Sequence, residues 1–537
     1  MSRAARAGPV RYADERRFKP IHADSYDQND QRSSDPSAFI SVLSRSVNSH
    51  VFGVAMALAA VVVGALLGYG GVLITLIAIV GVIGVLWALT DLEIGMWGIV
   101  GVISLLPFAT LPIKIVFTPT FLDLAMGGVL IVYLLQWMSG RRRRLTVTPA
   151  HAPIVAFIVM AMFAFAAGLN NGPLTSNLAR HFAEFILSIA FAFVVVDWID
   201  SREKLGRIVG VILLCGAAAA LIGIALWIIP ETLAERLLSA LRVVGYPSGG
   251  VLQYIESNPE LGQRAIGTSV DPNAFGGLLA IVGAMAAPQI IAAQPAFGAR
   301  WRWLWVGVFL IITVCLILTF SRMAMAGLVL GVLFVALANR KYRWLVWALL
   351  AGAIVVILLP VTQSYVERFV QGAQGADLAT QMRFGEYKDA FILLSRYPII
   401  GVGFAGAPDI DIYLGVSNAY LSIAQQMGFA GLAVLILVLL VVFGWAYDHR
   451  RVASADSQLE PLFWGLHAAL IAALTVGMGD HYFVNLDFQP AQTLFWMVIG
   501  LGLSATRLGR GDSRRGDSRI APTEADPNEC ARSATVV

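Results

Sequence analysis

From residue 51 onward the chain is a succession of long apolar runs, and that succession sets what it can fold into. Fourteen runs lie at 51–69, 71–89, 94–112, 121–138, 152–169, 182–199, 207–228, 272–293, 303–320, 323–338, 344–361, 417–445, 462–478 and 491–506. A helix needs about 20 residues, at about 1.5 Å each, to cross the hydrocarbon of a bilayer. A membrane β-barrel would instead show short alternating segments. With 58% hydrophobic and 13% charged residues among 537, the reading is an all-α, polytopic transmembrane helical bundle of about 12–14 helices.

The basic residues orient it. With the N-terminus in the cytoplasm, 28 of the 38 Lys and Arg fall on inner segments. Seven of the other ten lie in two long outer loops, 229–271 and 362–416, where the positive-inside rule has little force. Residues 51–508 then form the transmembrane domain in a cytoplasmic membrane. Residues 1–50 and 509–537 are polar and mixed in charge, and read as disordered cytoplasmic tails rather than a cleavable signal. The basic run Arg141–Arg144 reads as an anchor to anionic headgroups. The net charge of +4 is spread over short loops, which speaks against a nucleic-acid partner. Cys215, Cys315 and Cys530 have no metal-site or disulfide spacing.

Outer-face arginines are not favoured by topology, so each invites a reason. Arg264 precedes the helix start Asp271-Pro272-Asn273, and a helix N-terminus suits a phosphate; the alternative is a capped helix beside an interfacial arginine. Arg322 interrupts what would otherwise be a continuous apolar stretch, either as a turn residue or as a buried cation. Residues 380–396 space Phe384, Tyr387, Phe391 and Leu394 as one helical stripe, so the outer loops are expected to carry an amphipathic helix on the membrane surface. Arg383 and Tyr387 are neighbours on it. In the last outer hairpin, Asp480-His481-Tyr482 offers an imidazole able to take a hydroxyl proton. Arg180 lies four residues before Glu184, beside His181, and reads either as a further outer cation or as an i,i+4 ion pair.

The order SRMAMAGL, then RFGEYKDAF, YPIIGVGF and SNAYLSIAQQMGFAGL, resembles the O-antigen ligase and O-antigen polymerase family. RAIGT…DPNAFG and DHYF…Q…LFW resemble outer parts of the same family, so the likeness runs from about Arg264 to Gly502. The resemblance implies glycosyl transfer from an undecaprenyl-diphosphate-linked oligosaccharide on the outer membrane face, with no cofactor and no required metal. Arg322 and Arg383 would then hold the diphosphate, with Arg264 as a third cation and Arg180, Tyr387 and Asn418 lining the substrate site. A chain-length regulator or export complex is an expected partner. The family pattern has a histidine where this chain has Ser417, so His481, oriented by Asp480 or another carboxylate, is the expected substitute base. That departure and the helix number favour an exopolysaccharide polymerase over a ligase. The alternative class is a lipid-linked glycan flippase or other transporter, which predicts charges along a central pathway; Asp123 is the one acid inside a run that stands out.

Overall fold

A computed structural model describes residues 91–111, 118–140, 142, 145–358, 363, 367, 370, 374–375, 378–406 and 415–517. The first two expected runs, the tail 1–50 and residues 518–537 lie outside them, as do Lys114, Arg141, Arg143, Arg144 and Arg368. The described residues form fourteen α-helices and no strands. In chain order these are α1 (Leu92–Leu105), α2 (Phe121–Met138), α3 (His151–Gly168), α4 (Ser176–Trp198), α5 (Arg202–Ile228), α6 (Glu231–Ala240), α7 (Pro272–Ile291), α8 (Arg302–Leu318), α9 (Arg322–Ala338), α10 (Trp344–Leu358), α11 (Leu378–Arg396), α12 (Ala419–Ala455), α13 (Leu459–Val476) and α14 (Gln489–Asp517). Eight are long and apolar enough to span a bilayer, and α1 and α9 are shorter apolar helices. Each described apolar run became a helix.

Helices α7, α9 and α13 form the centre. Their backbones approach closely because the contact positions have no side chain in the way. A Cβ on Gly331 would meet the Ala468 carbonyl at 2.7 Å, one on Gly327 the Ala472 carbonyl at 2.8 Å, and one on Gly465 the Met285 carbonyl at 2.7 Å. Small residues let dispersion drive association where lipid removes the hydrophobic effect between helices. Helices α4, α5, α8, α12 and α14 pack around this core.

Two helices come from outside the apolar runs. Helix α6 buries only Ala234 and Leu238 and leaves Arg236 exposed, as is Arg242 just after it. Helix α11 lies where the amphipathic helix is expected, but its faces divide differently. Ala390, Leu393 and Leu394 are buried against the protein, whereas Phe384 and Phe391 are each 60% exposed. The expected stripe therefore splits: Leu394 faces the bundle, and the two phenylalanines face away. Spacing could not separate the sets, because both a lipid-facing and a protein-facing position favour an apolar side chain.

Helix α12 is broken at Gly428, whose backbone sits at φ 67, ψ −175. The break frees the carbonyls of Gln425 and Gln426 and the N–H groups of Phe429 and Ala430. The turn 397–404 fills it: Val402 N–H donates to Gln425 (2.8 Å), Gly403 N–H to Gln426 (2.9 Å), and the two amides donate to Pro398 (2.8 Å) and Ile399 (3.2 Å). Irregular backbone at membrane depth survives only when buried in protein with its polar groups paired. The nine residues before the break form a separate short segment that starts α12.

Candidate functional site

The hairpin 477–488 between α13 and α14 is tied to the start of α12. Ala419 N–H donates to the carbonyls of Gly477 (2.8 Å) and Asp480 (3.1 Å). Asn418 caps α12 by accepting from Tyr420 and Leu421 N–H at 3.0 Å each, and its Nδ2 donates to the Met478 carbonyl at 2.9 Å. From α11, the Tyr387 hydroxyl reaches the carbonyls of Ser417 (3.5 Å) and Met478 (3.4 Å). Glu386 accepts the Ser417 N–H at 2.8 Å.

Three helix N-termini converge on this hairpin. A Cβ on Gly276, in the first turns of α7, would lie 2.9 Å from Ser321 Cβ, the cap residue of α9. Gly479 abuts Met323 of α9, and a Cβ on Gly477 would lie 3.3 Å from Ala419 of α12. Each N-terminus carries partial positive charge, although caps satisfy the first amides of α7 and α12. The residues entering two of these caps are held in the left-handed region, Val270 at φ 61 and Phe320 at φ 54. For a β-branched or bulky residue this costs of order 1–3 kcal/mol and persists only where the surroundings over-determine it.

Arg264 enters the cluster from the loop before α7. Its Nε donates to the Thr319 carbonyl (2.8 Å) and its Nη2 to Asn273 Oδ1 (2.6 Å). Both acceptors are neutral. Burial pulls this guanidinium below its ordinary pKa; Asp271, Tyr482 and Asp480 oppose the shift, and Arg383 adds to it. Arg383 of α11 has its Nη2 3.9 Å from Asp480 Oδ1. Arg322 is the first residue of α9 and is half-buried, in the turn between α8 and α9.

Asp480 is 4% exposed, and its Oδ2 is buried without a hydrogen-bond partner among the described residues. Burial pushes its carboxyl up to about 7; Arg383 and Arg264 oppose, while Asp271 and Glu386 add to the rise. His481 Nδ1 is likewise buried and unpartnered, and its ring stacks on Tyr482 with centroids 5.5 Å apart. Burial pulls the His481 imidazole below its usual value. Among the described residues, Asp480 Oδ2 and His481 Nδ1 each lack a hydrogen-bond partner. The Asp480 carboxyl is near Arg383, and the His481 ring stacks on Tyr482.

Of the residues singled out from sequence, Arg264, Arg383, Tyr387, Asn418, Asp480 and His481 meet here, with Arg322 on the adjoining helix start. Arg180 is held elsewhere, by Glu184 Oε1 (2.6 Å) and the Thr118 carbonyl (3.1 Å), near the linked residues Asp123 and Gln489 (2.9 Å). Its ion-pair reading is the one realised. Asn273 and Glu386 were not anticipated. Asn273 looked like an ordinary first-turn residue, and Glu386 shares the Arg383 face only once the buried side of α11 is known. A small apolar cavity of about 30 Å³ lies behind Tyr482, lined by Phe108, Ala274, Phe483 and Phe488. It has room for about two waters, and no arginine lines it, so the polar cluster is the candidate site.

Fold and site together define a polytopic helical membrane protein with a cationic, carboxyl-bearing cluster at one end of its bundle. Residues 307–436 match the O-antigen ligase family. Over that stretch, about a quarter of its length, the chain is similar to that family. The matched stretch contains Arg322, Arg383, Tyr387 and Asn418, whereas Arg264, Asp480 and His481 lie outside it. No curated protein matches the chain.

Proposed function

We propose that this protein transfers oligosaccharide from a polyprenyl diphosphate to an acceptor hydroxyl on the extracytoplasmic face of a bacterial inner membrane, as an exopolysaccharide or O-antigen polymerase. The acceptor oxygen attacks the anomeric carbon as the bond from that carbon to the diphosphate oxygen breaks. Arg264, Arg322, Arg383 and the three helix ends take up the charge that develops on the leaving group. Guanidinium forks match phosphate oxygens, and preorganised donors in a water-poor site are worth several kcal/mol to a transition state.

The observation that carries this reading is the state of Arg264. At the opposite end of the bundle, cations are bridged by carboxylates, Arg207 to Glu93 at 2.5 Å, Arg142 to Asp197 at 2.8 Å and Lys341 to Glu460 at 2.8 Å. Arg264 is held by two neutral acceptors beside the positive ends of three helices. A charge withdrawn from water without an ionic partner is costly, and a diphosphate would supply the missing anion.

Separate Arg264→Lys, Arg322→Lys and Arg383→Lys variants test it in cells. The expected result is a loss of polymer of about a hundredfold or more, with lipid-linked repeat units accumulating on the outer leaflet. Accumulation on the inner leaflet would point to a flippase, and unchanged polymer would remove the arginines from the reaction.

A further inference from the structure

We infer that Asp480, and not His481, receives the proton of the acceptor hydroxyl; this rests on the transferase reading above. The carboxyl is buried and stands 3.9 Å from Arg383, the cation assigned to the leaving group. Among the described residues its Oδ2 has no hydrogen-bond partner. Its backbone carbonyl accepts the Ala419 N–H at 3.1 Å, which ties the backbone of Asp480 to the start of α12. A general base must lie within hydrogen-bond reach of the proton and have a pKa near the working pH. The charged and titratable groups around it are Arg383 and Glu386 on α11, Asp271 at the cap of α7, Arg264 in the preceding loop, and Tyr482 with the neighbouring His481 on its own hairpin. With burial outweighing the two arginines that favour the ion, the carboxyl is pushed up to about 7.

His481 lacks this arrangement. Among the described residues, its Nδ1 is enclosed without an acceptor, and no side chain is hydrogen-bonded to the ring to orient it as a catalytic imidazole requires. In the assigned step, the acceptor O–H proton passes to Asp480 Oδ2 as the new glycosidic C–O bond forms. The electron pair of the broken bond goes to the diphosphate, and the carboxylic acid then returns its proton to that product or to water.

The test uses the full-length protein in lipid nanodiscs with polyprenyl-diphosphate-linked repeat units, assayed from pH 5.5 to 8.5. The wild-type rate is expected to fall as the pH drops below about 7. Asp480→Asn is expected to lower kcat by about a hundredfold or more, with KM for the lipid-linked glycan within about threefold, which also reports that the site is folded. Asp480→Glu should recover part of the rate and its acidic limb. His481→Gln should leave the limb where it is, whatever it does to the rate. Full rate in Asp480→Asn, or a limb that moves with His481→Gln, overturns the assignment and leaves the transferase reading standing. Wild-type protein that binds the lipid diphosphate and transfers nothing overturns the transferase reading, and this assignment with it.

Discussion

Replacing Gly428 by alanine should damage the site from a distance, and the structure allows the size of the effect to be worked out. At φ 67, ψ −175 the residue occupies a region essentially reserved for glycine, and another residue there costs about 1–3 kcal/mol. A Cβ at this position would overlap the Ile399 carbonyl and lie 2.5 Å from Ile400 N. Real Cβ atoms do not come that close to backbone, so the 397–404 turn must retreat by roughly an ångström. Four hydrogen bonds of 2.8–3.2 Å join the turn to the break, and that retreat carries them beyond useful length. At about 1 kcal/mol each, added to about 2 kcal/mol of strain, the loss approaches roughly 6 kcal/mol.

The chain has one escape. Alanine favours a continuous helix, in which Phe429 and Ala430 would donate to Gln425 and Gln426 and the turn would be expelled. The segment before the break would then swing, drawing Asn418 away from Met478 and Ala419 away from Gly477 and Asp480. Either outcome lowers glycan transfer. Detergent-solubilised protein should melt many degrees lower, or exchange amide hydrogens at 397–404 far faster, and lipid-linked repeats should accumulate. Gly444→Ala is the control: the site lies in the regular part of α12 with nothing within 4 Å of a Cβ, and alanine's higher helix propensity makes it neutral or slightly stabilising. Wild-type melting, exchange and transfer in Gly428→Ala would refute the reasoning.

Two further outcomes follow from the site's electrostatics. The folded protein holds the Asp480 proton more tightly than an exposed aspartate would, about 7 against 3.8, so stability falls as pH rises from about 4 to about 7 and levels off above. That difference amounts to about 4 kcal/mol; the melting-temperature advantage of Asp480→Asn should widen across this window and stay constant above it, and an advantage independent of pH would contradict the burial argument. Arg264→Met should weaken binding of a polyprenyl diphosphate by about 30-fold, one charge-assisted hydrogen bond at about 2 kcal/mol, while melting is unchanged or higher because a buried cation with neutral partners is removed.

The span architecture was legible because hydropathy reports what a bilayer demands of a helix. The run 121–138 coincides with α2, and 303–320 differs from α8 by one residue at its start and two at its end. Where packing rather than lipid decides, the sequence is mute. The run 417–445 gave no sign of the break at Gly428, since one glycine among apolar residues also reads as a packing position. Helix α14 continues to Asp517, past the end of its apolar run, because hydropathy measures apolarity and not helicity. In the site, Arg264, Arg322 and Arg383 were found by topology, which marks outer cations as needing a reason. The character of Asp480 could not be read, since it depends on burial by α7, α11 and α12.

Arg264, held by neutral acceptors, differs from cations bridged by carboxylates elsewhere in the bundle, Arg180 to Glu184 among them, and this bears on how the proposed reaction would work. Each helix N-terminus carries roughly half a positive charge; three of them beside Arg264 and Arg383 repel one another in surroundings with little water. Capping by Asp271 and Asn418 offsets part of that, and Asp480, held near its midpoint at neutral pH, offsets only a fraction of a charge. The glycine-mediated contacts of α7, α9 and α13 keep the groups from relaxing apart, as does the turn locked into α12. A cluster fixed in that state binds an anion without reorganising, so binding energy from a diphosphate can go into stabilising the charge that grows as the sugar departs. In the proposed reaction the stabilising charges therefore stand ready before the substrate arrives, and only the proton on Asp480 has to move.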